Sequence, residues 1–310
     1  MSRPEPELEH HALYAMDASI YIFKAWFGLP ERFYSSEGYA LNAVEGFTQT
    51  LLRVLEQHQP RYFLAAFDES LGQGFREALY PNYKASRALP DEALAYQLNA
   101  CREICGALSV THWASSQFEA DDLLATAASE ARAQGRAVRI LSRDKDLAQI
   151  LTAEHDSIQD VGAPAKTRAQ WQQESGIDTK QLPDYLALVG DSVDDIPGVK
   201  GIGPVAAKAI LQRYENLEAV YNNLAALKDL SCRGAARLPE KLQTEREAVF
   251  LYRELCRLRE DVPLPDDWQQ ARFEGAELDR FIATGMEIGL PESWLRQQYK
   301  RFPQAFALRH

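Results

Sequence analysis

Apolar residues in the first half of the chain fall into two alternating patterns. Runs at residues 12–17 (ALYAMD), 61–68 (RYFLAAFD) and 137–144 (AVRILSRD) rise through apolar positions and each stops at an aspartate; short runs of this kind predict strands. Between them, residues 42–57 and 120–134 carry apolar side chains three and four apart, which predicts helices. This alternation predicts βαβ units and a mostly parallel sheet. Such sheets bind ligands beyond the carboxyl ends of their strands, where Asp17, Asp68 and Asp144 would meet. One aspartate after a strand is commonly a cap or turn residue; three at three strand ends weigh against that explanation.

From about residue 181 the texture changes to helices and glycine turns. The polar run at 172–180 (QQESGIDTK) divides the two, so residues 1–178 are expected to form one domain and residues 179–310 a second, helical one. Residues 261–310, opening with DVPLPDDW, read as an irregular return followed by short helical pieces, a C-terminal extension of the second domain. No internal repeat or low-complexity tract is present.

No run approaches the roughly eighteen apolar residues that span a bilayer, and the acidic N-terminus MSRPEPELEH is unlike a signal peptide. The four cysteines, Cys101, Cys105, Cys232 and Cys256, make neither a disulfide framework nor a zinc spacing. A cytoplasmic protein is expected, with Cys101 and Cys105 on one helix face as core residues.

Charge first argues against a nucleic-acid partner: 34 Lys and Arg against 45 Asp and Glu give −11, and nucleic-acid binders usually carry a basic patch. The distribution changes the picture. Acidic residues concentrate at Asp17, Asp68, the run FEADD (Glu119, Asp121, Asp122), the run SRDKD (Asp144, Asp146) and the run GDSVDD (Asp191, Asp194, Asp195). Hard divalent cations such as Mg²⁺ and Mn²⁺ are held by carboxylates, and so many carboxylates in one pocket repel one another unless cations neutralise them. Nine of the negative charges belong to that set once Asp195 is left aside, so the remaining surface is close to neutral. Two such ions are the usual machinery of phosphodiester hydrolysis. Taken alone, Glu119 to Asp122 also fits an ordinary acidic helix start.

Two further stretches fit a nucleic-acid backbone. In IPGVKGIGPVAAKAIL, Gly198, Gly201 and Gly203 precede an Ala-rich helix that opens with Pro204, and Lys200, Lys208 and Arg213 lie within 196–214 without an acidic residue. Free N–H groups at such a helix start, with basic side chains, grip phosphate without regard to sequence; a ligand-free helical hairpin is the alternative. In GQGFREALYPNYKASRALP, Arg76, Tyr80, Tyr83, Lys84 and Arg87 interleave basic and aromatic character, which suits an unpaired strand, although a solvated loop has the same composition.

The order MDASIYIFKAW, FD…FREALYPNYKASR, FEADDLLATAA, SRDKDLAQIL and GDSVDDIPGVKGIGPVAAKAIL resembles the bacterial 5′-nuclease family: the 5′→3′ exonuclease domain of DNA polymerase I, phage 5′-nucleases and flap endonucleases. The resemblance runs over about residues 12–224. It implies an α/β, PIN-like nuclease core with a mostly parallel sheet, a helical arch at about 70–100, and an α-helical helix-three-turn-helix (helix-hairpin-helix-type) DNA-binding domain. It implies one Mg²⁺ or Mn²⁺ on Asp17, Asp68, Glu119 and Asp121 with Asp122 beside them, and a second on Asp144, Asp146, Asp191 and Asp194. Lys84, assisted by Arg87 and Tyr83, would contact the scissile phosphate. Lys24, Arg76, Gly198, Lys200, Gly201, Gly203 and Lys208 would bind DNA, and K⁺ could sit on backbone carbonyls near Val199 and Ile202. The chain departs from the family at Ala18, where Gly is usual, at Lys24 for Arg, and at Val205 for a polar or basic residue; Lys lacks the planar fork of Arg.

The function so implied is a metal-dependent, structure-specific 5′-nuclease acting as a monomer on DNA with a 5′ single-stranded flap or end beside duplex. A catalytically inactive DNA-junction-binding protein of the same fold is the second reading, disfavoured by the complete acidic set. A phosphohydrolase with an aspartate nucleophile is the third, disfavoured because MDASI lacks a second Asp two residues after Asp17.

Overall fold

A computed structural model of the chain describes residues 11–69, 72–87, 89–265 and 267–307. The polar N-terminus (residues 1–10) and Ser70, Leu71 and Ala88 of the expected arch lie outside the described residues.

Six strands form one sheet: β1 (Leu13–Asp17), β2 (Tyr62–Asp68), β3 (Thr111–Ser115), β4 (Val138–Leu141), β5 (Ser157–Gln159) and β6 (Lys166–Thr167), in the order β3-β2-β1-β4-β5-β6. All neighbours are parallel except β5 and β6. The three apolar runs ending in aspartate are β1, β2 and β4, the centre of the sheet. Strand order reverses between β1 and β4, so the crevice outside their carboxyl ends is the topological switch point.

Successive strand residues face opposite sides, and both sides are covered. Leu13, Ala15, Leu64, Ala66, Val138 and Ile140 pack with helix Ala120–Ala133 and with Leu186, Ile210 and Leu217 of the second half. Tyr14, Met16, Phe63, Ala65 and Phe67 pack with Leu51 and Leu55 of helix Asn42–His58 and with Cys101 and Cys105 of helix Glu92–Ala107. Both cysteines are therefore core residues, as expected, and burial pushes their thiols up. The helical half shares the first of these cores with the sheet.

Residues 261–310 were expected to extend the helical domain. The described ones, 261–265 and 267–307, return to the α/β layer instead. Phe273 N–H donates to Arg61 O at 2.9 Å, Tyr62 bridges Arg272, and Phe281, Ile282 and Leu295 enter the core with Leu51 and Cys101. The cause is an amphipathic pair, Leu278–Ile288 and Glu292–Arg301: the first packs on helix 92–107 and on the second, and the turn Pro303–Phe306 that follows covers helix 42–58.

The expected helical arch at about 70–100 is helical at both ends, with helix Phe75–Leu79 and the start of helix Glu92–Ala107. Residues 72–87 hold only the five-residue helix Phe75–Leu79, then turns at 81–86. Pro81 has no N–H to continue a helix, and Lys84 has φ +51°. The segment lies against the carboxylates: Lys84 N–H donates to Asp194 O at 3.1 Å and Ser86 N–H to Asp195 Oδ2 at 2.8 Å.

No helix among the described residues is long and apolar enough to cross a membrane.

Candidate active site and nucleic-acid interface

Sheet topology delivers the acids to one place. Asp17 ends β1 and caps helix Ala18–Gly28, its Oδ1 accepting from Ile20 N–H at 3.3 Å while Ser142 Oγ donates to Oδ2 at 2.9 Å. Asp68 ends β2 and accepts from Ala120 N–H at 2.8 Å, which brings the start of helix Ala120–Ala133 beside it. That helix start presents Glu119 and Asp121. The turn after β4 orders Asp144 and Asp146, with Asp146 N–H donating to Asp144 Oδ1 at 2.8 Å. A one-pair bridge between Asp191 and Ile196 closes the loop that carries Asp194.

Electrostatics report the crowding. Burial first, then the neighbouring Asp68, pushes Asp17 up to about 7. Asp121 is held well above the carboxylate range by burial and by Asp17, Asp144, Asp68 and Glu119 together. Burial and Asp144 push Asp146 up to about 8, and its Oδ1 is buried with no hydrogen-bond partner among the described residues. Asp68 is raised by burial and Glu119, Asp194 by burial against the pull of Lys84 and Arg87. Burial would raise Glu119 too, but Lys84 and Arg76 override it and hold the carboxyl below its usual range.

The expected acids therefore converge: Glu119, Asp121, Asp146, Asp191 and Asp194 line one cavity, and Asp17, Asp68 and Asp144 act electrostatically on Asp121 beside it. Mutually raised carboxylates with an orphaned oxygen are a donor set that divalent cations relieve. Among the described residues no three His, Cys, Asp or Glu side chains are gathered as a closed direct ligand set. The arrangement fits an ion that keeps several waters, as Mg²⁺ does.

Two expected roles are corrected. Asp122 is fully buried and bound bidentately by Arg76, at 2.6 and 2.8 Å, and it also accepts from Arg259 N–H at 2.9 Å; unlike Glu119 and Asp121 it does not line the cavity, and it stands behind them. Glu119 N–H donates to Asp122 Oδ2 at 3.3 Å, so the ordinary helix-start explanation holds for this residue. Arg76, expected at the DNA surface, is only 2% exposed. Its guanidinium is spent on Asp122, on Leu255 O and on Arg257 O.

Lys84 and Arg87 stay at the site. Lys84 Nζ pairs with Glu119 and lies 3.9 Å from Asp194, and Arg87 reaches Asp194 at 2.8 Å. Tyr83 is buried and its hydroxyl donates toward Asp194 at 3.1 Å, so it faces the acids and offers no stacking surface. Lys24 is half exposed, 3.8 Å from Asp160.

The glycine turn adjoins the acids at one end, where Gly198 packs on Gly190 beside Asp191 and Ile196 lines the cavity. Gly198 and Gly201 have φ +66° and +78°, and a Cβ on Gly198 would lie 2.3 Å from Gly190 N. Gly203 caps helix Pro204–Arg213. Lys200 is exposed and Lys208 half-buried, while Val199 and Ile202 point into the core and Ile202 N–H donates to Val199 O at 2.9 Å. One cation was missed: Lys241, on helix Leu238–Thr244, donates to Gly201 O at 3.0 Å. No local signal links a lysine forty residues away to that turn.

Comparison with known proteins agrees with this geometry. Residues 12–180 match the family model for the 5′-3′ exonuclease N-terminal, resolvase-like domain, and residues 177–279 that for the 5′-3′ exonuclease C-terminal SAM fold. The chain belongs to the 5′-3′ exonuclease family. It is 33% identical over 287 residues to DNA polymerase I of Rhizobium leguminosarum, covering 88% of this chain and 27% of that one. It thus spans less than a third of the DNA polymerase I relatives. A 5′-3′ exonuclease of Aquifex aeolicus is 28% identical over 298 residues, covering 94% of this chain and 97% of the other. Among solved structures, the bacteriophage T5 D15 flap endonuclease in complex with DNA and metal ions aligns with a TM-score of 0.63 at 18% identity, over 95% of this chain and 98% of that one. The PIN-like core expected from the motifs is present, and the second, helical domain expected there is the one the SAM-fold model matches.

Proposed function

We propose that the chain is a divalent-metal-dependent, structure-specific 5′-nuclease that hydrolyses DNA phosphodiesters where a 5′ single strand meets duplex. The observation that carries the reading is the convergence of buried, mutually repelling carboxylates from β1, β2, β4 and the 191–194 loop on the switch point of the sheet. Asp17, Asp68, Glu119 and Asp121 would hold one Mg²⁺ or Mn²⁺; Asp144, Asp146, Asp191 and Asp194 the other. Bound there, the ions supply an activated water and charge stabilisation at the leaving oxygen.

The protein's own groups do the rest. Lys84 and Arg87, now paired with Glu119 and Asp194, are free to turn to the scissile phosphate once cations take over those carboxylates. Duplex rests on the N–H groups and lysines of the glycine turn, so cutting follows structure more than sequence. K⁺ at the carbonyls of Val199 and Ile202 belongs to the same proposal, and exchanging K⁺ for Na⁺ at constant ionic strength should then weaken duplex binding. We place the protein in the cytoplasm as a monomer on the same terms.

Replacing Asp144 and Asp146 together by Ala tests the reading on a 5′-flap substrate, with and without EDTA. Cleavage should disappear while DNA binding persists. Full Mg²⁺-dependent cutting by that variant would refute the assignment, and EDTA-insensitive binding by a wild type that never cuts would favour the inactive junction binder.

A further inference from the structure

The least exposed charged pair at the site is Arg76 with Asp122, 2% and 0% exposed. Arg76 donates through Nε to Leu255 O at 2.8 Å, through both terminal nitrogens to Asp122, and through Nη2 to Arg257 O at 3.0 Å. Leu255 and Arg257 lie at the end of helix Arg246–Cys256, in the helical half of the chain. Arg76 itself sits at the base of the 72–87 segment that carries Tyr83, Lys84 and Arg87. One guanidinium therefore joins the segment over the acids, the start of helix Ala120–Ala133 and the end of a helix in the second half.

The same fork touches Glu119 only loosely, at 3.4 Å through Nη1, against 2.6 Å from that nitrogen to Asp122. A buried cation with one carboxylate partner binds it fully, and with two it divides its attraction. Asp122 takes the larger share here. Without it, Arg76 would close on Glu119 as its sole carboxylate and compete there with any divalent ion.

We propose that Asp122 is a positioning residue: it neutralises Arg76 at a fixed place, which fastens the 72–87 segment to the helical half and keeps Glu119 available to a divalent cation. The inference rests on the nuclease reading, since it concerns how readily that site takes its ions. It also separates Asp122 from the other acids, whose loss removes a ligand outright.

Calorimetric titration with Mn²⁺ alone, on the full chain without DNA, tests it. Asp122→Asn keeps the shape and removes the charge, and Mn²⁺ affinity should fall about 10- to 100-fold, the range known for carboxylates that support a metal site from behind. DNA binding in EDTA should change less than about twofold, because Asp122 touches neither the glycine turn nor its lysines. If Asp122→Asn does not fold, the double variant Arg76→Met with Asp122→Leu removes both charges, a replacement that buried ion pairs often tolerate. Its Mn²⁺ affinity should stay near wild type, and a tenfold loss there overturns the proposal. So does a folded Asp122→Asn chain that binds Mn²⁺ like wild type. A wild type that binds no Mn²⁺ overturns the nuclease reading itself, and this inference with it.

Discussion

At Asp17 and Asp146 burial and like charge work in the same direction, and both carboxyls are raised, to about 7 and about 8 from 3.8. Between those values and the ordinary range the native state binds more protons than the unfolded chain. The stability these groups contribute is fully present below about pH 4 and is lost as pH rises through 7 to 8. The metal-free protein should melt at a lower temperature at about pH 9 than at about pH 6, and Mg²⁺ should narrow the difference; calorimetric scans across that window check it. Glu119 runs the other way, since Lys84 and Arg76 lower it, and its stabilisation is lost only as pH falls below its ordinary 4.5. Lys84 carries a second expectation. Removing one donor aimed at developing charge costs about 10²-fold or more in rate, so Lys84→Ala should slow single-turnover cleavage by about that much, and an unchanged rate would remove Lys84 from the chemistry. At this scale the acids were legible because each falls at a strand end or helix start. Asp121 and Asp122 are neighbours of one type in one motif, and only the arrival of Arg76 from forty-six positions away tells them apart.

Among the elements, the three central strands were readable because a strand buried on both faces must be apolar throughout. Thr111–Ser115 is polar and half-exposed at the sheet edge, and Ser157–Gln159 and Lys166–Thr167 are three and two residues long, so periodicity had little to register. The arch was legible at both ends, since FREAL and the run after Pro90 are helices in the structure, and Pro81 between them is a stop. The glycine turn was legible from its composition, and its backbone explains why. Gly198→Ala would hold a non-glycine residue at φ +66°, a strain of about 1–3 kcal/mol, and would add a Cβ 2.3 Å from Gly190 N, which the backbone must move to relieve. Duplex affinity, measured by fluorescence anisotropy, should fall several-fold, and Mn²⁺ affinity should fall less, through the shift of Gly190 beside Asp191. Equal loss of both would mean that the turn supports the whole fold and not the DNA grip alone.

For the whole molecule, the C-terminal return is the feature the chain's pattern concealed. Short helical pieces after DVPLPDDW give no hint of which face they cover, because that choice depends on the exposed apolar stripes of helices 42–58 and 92–107. Phe281 and Leu295 are fully buried there, and each large apolar side chain taken from water contributes about 1.5–3 kcal/mol. Truncation after residue 260 should therefore lower the melting temperature sharply or leave the protein insoluble, and a truncated chain as stable as the full one would contradict the packing. The net charge of −11 acquires its meaning at this scale too: much of it is drawn into one basin at the switch point, which leaves the glycine turn and its lysines open to phosphate. Anomalous diffraction from a crystal grown with Mn²⁺ tests that basin directly. Two peaks should stand among the nine expected acids, one beside Asp17, Asp68 and Asp121 and one beside Asp144, Asp146 and Asp191, with none on Asp122; density elsewhere, or no density at these carboxylates, would contradict the central claim.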